Sequence, residues 1–240
     1  MEVLRVHNVT KVYGTGHTAV RALDGVHLHV EEGEIVLIMG PSGSGKTTLL
    51  TVAGGLLKPT TGEVIINGQD ITKLSERQLP AIRLKSLGFV FQSFNLLAAL
   101  TAEQNAAIPL MIAGHSPASA GEKARQLLVR LGLQQRLQAT PHQLSGGEQQ
   151  RVAIARAFVT NPKIILADEP TANLDSKIGH EVMRILCETA CQDKRAVVIV
   201  SHDGRLRDIA HRVLTIEDGK LTREESGGHN QTCRMPHGEK

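Results

Sequence analysis

Residues 40–48 read GPSGSGKTT, and their types and spacing suit one task, the binding of phosphate. The glycines let backbone N–H groups approach an oxyanion, and a helix that starts directly after them offers unpaired donors and partial positive charge. In such a loop the backbone of Gly40, Pro41, Ser42, Gly43, Ser44, Gly45 and Thr48 wraps the phosphates. Lys46 would reach the β- and γ-phosphates, and the Thr47 hydroxyl would hold Mg²⁺. A second set of groups stands at 164–169, IILADE, where four apolar or small residues lead into two acids. Asp168 would hold Mg²⁺ through its water shell, and Glu169 would polarise an attacking water. Together these are the parts needed to move a phosphoryl group to water.

A third stretch, QLSGGEQQRVAIARA at 143–157, resembles a second phosphate-binding helix start. Ser145 lies three residues before Glu148, which is the spacing of a capping box. Gly146 and Gly147 occupy the first turn, where each costs up to about 1 kcal/mol relative to alanine. A cap alone needs no such pair, so something must approach the backbone closely. The stretch cannot bind a nucleotide by itself. A helix terminus contributes roughly 0.3–2 kcal/mol to holding a charge, whereas micromolar binding needs about 8 kcal/mol. The stretch therefore reads as half of a site completed elsewhere.

These groups need elements to position them. EIVLIMG is a buried strand that runs into the glycine-rich loop, with a helix from about Gly45. IILADEP and AVVIVSHD are two further apolar strands ending in polar groups, as in open parallel α/β sheets that carry function at the C-terminal ends of their strands. Residues 1–35 alternate apolar and polar, which predicts antiparallel strands with a turn near Asp24-Gly25. TTGEVIINGQDI predicts a hairpin turning at Asn67-Gly68. Residues 93–143 lack any strand pattern and predict an inserted helical subdomain. Within it, one helix is capped by Ser116, with Pro117 at its first position and Gly132 as its stop. Beyond Glu224 the periodicity ends, so the domain is set at 1–224 and 225–240 is expected to be a disordered tail.

Composition narrows the partners. The 240 residues carry 27 basic and 24 acidic side chains, for a net charge of +3, too balanced to argue for nucleic acid. Aromatic residues make up 2 % with no Trp, which leaves no base-stacking platform. No apolar run approaches the roughly 18 residues of a membrane span, and MEVLRVHNVT has no signal-peptide core. A cytoplasmic chain is expected, with any membrane role supplied through a partner. Cys187 and Cys191 lie four apart on a predicted helix, and Cys233 falls in the tail. All three read as reduced structural thiols, and the four-residue spacing of His229, Cys233 and His237 reads as chance. No metal beyond Mg²⁺ is expected.

The phosphate loop alone is shared by kinases, GTPases and ATPases, but a GTPase would show an N-K-x-D motif and none is present. LSGGEQQRV at 144–152 resembles the signature motif of the ATP-binding-cassette (ABC) ATPases. The family's other elements follow in its order: Tyr13, GPSGSGKTT, FVFQ ending at Gln92, the signature, IILADEP, NLD ending at Asp175, and SHD with His202. The resemblance covers about residues 1–222. It implies an α/β fold with a P-loop NTPase core of ABC type, an N-terminal antiparallel β subdomain and the inserted helical subdomain.

The same resemblance implies a role for each matching residue. Tyr13 would stack on adenine. Residues 40–48 with Lys46 would hold phosphates. Thr47 and Gln92 would bind Mg²⁺ with support from Asp168. Glu169 would act on the attacking water, and His202 would contact the γ-phosphate. Ser145, Gly146 and Gly147 would serve the nucleotide of a second copy, and Asp175 would lie at the dimer interface. The implied molecule is a homodimer closed by two ATPs, driving a separate integral-membrane permease from the cytoplasmic face of the membrane. Within the family, GFVFQSFNLLAALTAEQN, VYGTGHTAVRALDGV and PTANLDS are similar to the group serving lipoprotein-releasing, macrolide-exporting and cell-division permeases. This implies export or lipid extraction. Ala172 departs from that group, which often has Gly before Asn-Leu-Asp. An importer ATPase, or a non-transport member acting on nucleic acid or ribosomes, is the alternative.

Overall fold

A computed structural model describes residues 1–229. The chain opens with two long strands, β1 (Glu2–Tyr13) and β2 (Val20–Glu31), paired antiparallel. They are joined through residues 14–19, where a 3₁₀ turn forms at Gly16–Thr18. The reversal is therefore not at Asp24-Gly25, as the sequence suggested. That dipeptide lies within β2 as a bulge. Gly25 has φ +63°, and opposite it Asn8 has φ +50°, while the register between β1 and β2 shifts between Val6 and Val9. The Asp-Gly pair supplies the left-handed residue that a bulge needs, and a bulge and a turn share that composition. The Asp24 N–H also donates to Gly219 O at 2.9 Å, which ties this sheet to the neighbouring one.

β3 (Ile35–Met39) leads through the glycine-rich loop into α1 (Lys46–Ala53). β4 (Thr61–Ile66) and β5 (Gln69–Asp70) form the expected hairpin, with Asn67 at φ +49° and Gly68 at φ +80°, both left-handed as an Asn-Gly hairpin turn requires. After α2 (Leu79–Ser86) and β6 (Leu87–Val90) come α3 (Ala102–Ile112) and α4 (Pro117–Arg130), both inside the segment read as helical. Thr101 and Gln104 cap α3 reciprocally, and the Ser116 hydroxyl accepts from Ser119 N at 3.3 Å to start α4. Gly132, at φ +75°, ends α4 as predicted. α5 (Gly146–Phe158), β7 (Ile164–Asp168), α6 (Ser176–Gln192), β8 (Ala196–Ser201), β9 (Arg212–Glu217) and β10 (Lys220–Ser226) complete the described residues.

The strands form two sheets. One runs β2-β1-β4-β5 and the other β10-β9-β3-β8-β7-β6. In the larger sheet β9, β3, β8, β7 and β6 are parallel, and β10 closes the edge antiparallel. Strand alternation divides the core in two. Leu37, Ile165, Ala167, Val197 and Ile199 face Val152, Ile154, Phe158 and the inserted helices. Val36, Ile38, Leu166, Val198 and Val200 face α1 and the inner side of the small sheet, at Leu4 and Val6. With both faces covered, continuous apolar runs are what these strands require.

The expected end of the domain at residue 224 is too early. β10 pairs with β9 through Ser226. Gly227 N then donates to His211 O at 2.9 Å, Gly228 N to Arg207 O at 2.9 Å and His229 N to Ala210 O at 3.1 Å. β10 is a polar edge strand, KLTREES, so its pattern carries no core signal. Residues 230–240, including the tail's Cys233 and His237, lie outside the described residues.

Candidate nucleotide site

The loop at 40–45 joins the C-terminal end of β3 to α1. Gly45 is the N-cap at φ +104°, and a Cβ there would stand 2.5 Å from Ala22 O, so only glycine fits. No side chain caps α1, which leaves its first N–H groups for a ligand. The cleft above it has a volume of about 650 Å³ and is lined by Ala22, Ser42, Gly43, Gly45, Lys46, Thr47, Thr48, Gln92, Glu169 and His202. Lys46 is 7 % exposed, and its Nζ donates to Gly40 O and Pro41 O at 2.8 Å each. Ser44 is buried, and its backbone carbonyl accepts from Gly219 N at 3.0 Å.

The acids stand at the end of β7, next to the loop. Thr47 Oγ1 donates to Asp168 Oδ1 at 3.0 Å. Burial pushes the Asp168 carboxyl above its ordinary value and the charge of Glu169 adds to this, while the Thr47 hydrogen bond and Lys46 oppose it. Glu169 has φ +43°, a left-handed conformation that costs a residue with a side chain about 1–2 kcal/mol. The Glu169 N–H donates to Val200 O at 2.9 Å, extending the β7–β8 pairing past the strand end. Its Oε2 accepts from Ser201 Oγ at 3.1 Å and lies 3.0 Å from His202 Nδ1. Backbone strain at such a position is spent on aim, and here it turns the carboxylate into the cleft. Thr47 hydroxyl, Asp168 carboxylate and Gln92 amide are all hard oxygen donors, the set that suits Mg²⁺. A cation beside Asp168 would offset the burial that raises its carboxyl.

The third stretch forms a helix start of another kind. Ser145 N donates to Glu148 Oε2 at 2.8 Å and Glu148 N to Ser145 Oγ at 3.3 Å, completing the capping box. Arg136 pairs with Glu148 at 3.0 Å. The Ser145 backbone N–H, with Arg136 behind it, holds the Glu148 carboxyl below its ordinary range. The glycine pair has a reason inside the chain: a Cβ on Gly147 would stand 2.5 Å from Ile178 Cγ2, and one on Gly146 3.2 Å from Leu174 Cδ2. The close approach is thus to the start of α6. Asp175 caps that helix, accepting from Lys177 N and Ile178 N at 3.1 Å each.

Within one chain the cleft gathers the glycine-rich loop, Gln92, Glu169 and His202, with Asp168 reached through Thr47. Tyr13, Ser145, Gly146, Gly147 and Asp175 do not line it. Tyr13 is 43 % exposed at the end of β1, with Lys11 Nζ 5.4 Å from its ring centroid. Several positioning residues escaped the sequence reading. Gln150 is fully buried, and its Nε2 donates to Pro170 O at 2.8 Å, joining α5 to the residue after Glu169. Arg156, on the same helix, donates to Phe94 O at 2.7 Å and to Asn95 O, pinning the segment after Gln92. Asn173 Nδ2 donates to Gln92 O at 2.8 Å. Gln150 left a trace, since a polar residue interrupts the apolar stripe of Gly147, Ile154 and Phe158. Arg156 left none.

A glycine-rich phosphate loop between a parallel strand and a helix, with two acids at the end of a nearby strand, defines a P-loop nucleotide-binding protein. The family model described as ABC transporter matches residues 23–172, and the chain belongs to that family. It is 44% identical over 227 residues to an ABC transporter ATP-binding protein of Thermotoga maritima, covering 95% of this chain and 97% of that one. It is 45% identical over 219 residues to the macrolide export ATP-binding/permease protein MacB of Hyphomonas neptunium, covering 91% of this chain but 34% of that protein. The chain thus spans about a third of the length of its MacB relatives. Among solved structures, the dimeric post-hydrolysis state of the ATP-binding cassette MJ0796 bound to ADP and Pi matches with TM-score 0.86 and 44% identity. That match covers 93% of this chain and 98% of the other.

Proposed function

We propose that this chain is the ATP-hydrolysing subunit of an ABC transporter, working as a homodimer on a separate membrane permease. The observation that carries the reading is the placement of Glu169, whose carboxylate is fixed by Ser201 and His202 beside a cleft floored by Lys46 and Thr47. Nucleotide phosphates would take the unpaired N–H groups at the start of α1, and Lys46 would exchange the Gly40 and Pro41 carbonyls for phosphate oxygens. Glu169 would orient the attacking water and draw off its proton, while His202 would hold the transferred group. Thr47, Gln92 and Asp168 would hold Mg²⁺, which supplies charge neutralisation on the phosphates when bound.

Ser145 and Gly147 stand outside their own chain's cleft, so they serve a nucleotide carried by the second copy. Tyr13 would stack on adenine at the open end of the cleft, and Asp175 would lie where the two copies meet. The dimeric MJ0796 cassette is the precedent for such an arrangement. ATP would close the dimer because it contacts both copies only in the closed state, and hydrolysis would remove that difference in affinity.

For the permease, a groove between α2, β6 and α3 is lined by Leu56, Leu84, Phe91, Pro109 and Ile112, and Ile112 is 70 % exposed. Exposed apolar surface of this kind marks a protein contact, and it adjoins Gln92 at the edge of the cleft. Attachment at the cytoplasmic face would come through this groove, and none of the helices among the described residues is long and apolar enough to cross a membrane. The likeness to MacB supports export as the direction of work.

The test is Glu169→Gln, measured as steady-state ATPase and by size exclusion with ATP. Turnover should fall roughly 10²–10⁴-fold while an ATP-dependent dimer persists. Near-normal turnover would remove Glu169 from its role, and a monomer under saturating ATP would remove the dimer.

A further inference from the structure

One turn after its glycine pair, α5 turns a glutamine into the core. Gln150 is fully buried, and Ala153 and Ile154 on the next turn of the same face are buried with it. The Gln150 Nε2 donates to Pro170 O at 2.8 Å, while its Oε1, also buried, accepts no hydrogen bond from the described residues. Half of a buried amide left without a partner is destabilising, and an apolar side chain of similar size would avoid that cost. What the position keeps is therefore the donor. The Pro170 carbonyl sets the orientation of the amide, because the opposite one would place oxygen against oxygen.

Pro170 follows Glu169 directly. A residue before proline is pushed toward extended backbone, yet Glu169 has φ +43°. The turn that holds it there is tied on two sides. On the β8 side the Glu169 N–H donates to Val200 O at 2.9 Å, and the carboxylate meets Ser201 and His202. On the α5 side Gln150 holds the Pro170 carbonyl. Between the two ties Ala172 N donates to Glu169 O at 3.1 Å, closing the turn on itself. β8 lies beside β3 in the sheet that carries the glycine-rich loop. α5 begins instead with Ser145, Gly146 and Gly147, which stand outside this chain's cleft. The aim of Glu169 thus depends on where α5 is seated.

We propose that Gln150 is a positioning residue for hydrolysis, which through the Pro170 carbonyl makes the aim of Glu169 depend on the seat of α5. The seat of α5 depends in turn on the second copy's nucleotide at the helix start. The inference rests on the roles given above to Glu169 and to the dimer. Gln150 lies three residues after Gly147 on a continuous helix, so a shift of the helix start reaches this hydrogen bond without passing through a loop. Hydrogen bonds depend on distance and angle together, so the shift alters the hold on the turn. Without the tie, Glu169 relaxes toward the extended backbone that the following proline favours, and its carboxylate leaves the line of attack. Nucleotide binding is untouched, because Gln150 does not line the cleft.

The test uses the full chain and sets Gln150→Met and Gln150→Leu, which remove the donor at nearly constant volume, beside Glu169→Gln. Each is read by steady-state ATPase, ATP titration, circular dichroism and size exclusion with ATP. In either Gln150 variant kcat should fall about 10–10²-fold, with KM and the Kd for ATP unchanged. The ATP-dependent dimer should persist, as it should in Glu169→Gln. In chains that already carry Glu169→Gln, adding Gln150→Met should lower the residual turnover no further, since a residue that acts through Glu169 has nothing left to position. Wild-type kcat in both Gln150 variants would overturn the proposal, and so would independent losses that multiply in the double variant. A raised KM at unchanged kcat would overturn it by making Gln150 a binding residue. Loss of the ATP-dependent dimer would overturn it by confining Gln150 to the shape of the helix start. Failure of both variants to fold would overturn it too, because the hydrogen bond would then serve the fold. Wild-type turnover in Glu169→Gln alone is a separate result, which removes the role of Glu169 itself and the inference with it.

Discussion

The two glycine-rich helix starts, α1 and α5, resemble one another in sequence and differ in how their N–H groups are used. α1 follows a glycine in a left-handed conformation and has no side-chain cap, and its loop opens on a cleft. α5 is capped by Ser145 and Glu148, and its glycines pack against Leu174 and Ile178. An uncapped helix start keeps all its first N–H groups for a ligand, whereas a capping box satisfies part of its own, here the N–H groups of Ser145 and Glu148. The first is therefore the primary anion site. The second has fewer donors to offer, which would suit a contact made only when two copies close.

The comparison can be broken at either end. Lys46→Ala removes the charge that belongs to α1's loop and should weaken ATP binding to a single chain about 10–10²-fold, the scale of 1.5–3 kcal/mol for hydrogen bonds to a charged group. Isothermal titration with ATP reads this directly, and an unchanged Kd would remove Lys46 from the phosphate site. Ser145→Ala acts at the other start and should cost about 1 kcal/mol of stability through the lost cap. In thermal unfolding this is a drop of roughly 2–4 °C for a chain of this size, while the monomer's ATP affinity stays the same. A loss of monomer ATP affinity in Ser145→Ala would contradict the separation of roles.

The smallest effect is in pH dependence, where the two regions titrate in opposite directions. Glu148 is held below its ordinary carboxylate range in the fold, so its contribution is complete above that range and is lost as pH falls through its folded value. Asp168 is raised. Its charge therefore opposes folding above the ordinary range, and that penalty is relieved as pH falls through the raised value. Glu148→Gln should flatten the acid limb of the stability curve. Asp168→Asn should stabilise the nucleotide-free chain near neutral pH by about 0.5 kcal/mol or slightly more. Both are read from urea midpoints across pH, and equal slopes in the two variants would contradict the opposite settings.

Much of this was legible in the sequence because the signal is local. Gly45 to Thr48, the acids after ILA, and Ser145 with Glu148 are each marked by neighbours within a few residues, and the structure places them on the expected elements. The Asn67-Gly68 hairpin and the Ser116–Gly132 helix were readable for the same reason. Asp24-Gly25 misled because bulges and turns both need a left-handed residue, and only the register of β1 against β2 distinguishes them. β10 was missed because an edge strand needs no apolar alternation. Arg156, Asn173 and Ser201 were missed because their partners lie far away in the chain, where no spacing rule can register them.

The central claim, that each nucleotide is shared between one copy's loop and the other copy's signature helix, is tested most directly by complementation. Lys46→Ala and Ser145→Arg chains are assayed for ATPase alone and after mixing. Each alone should be inactive, because every site in either homodimer lacks one half. In an equal mixture about half the dimers pair the two variants and carry one intact site of two, so turnover should recover toward about a quarter of wild type. Ser145→Arg chains that hydrolyse ATP at the wild-type rate on their own would show the site to be complete within one chain, and the account would fail.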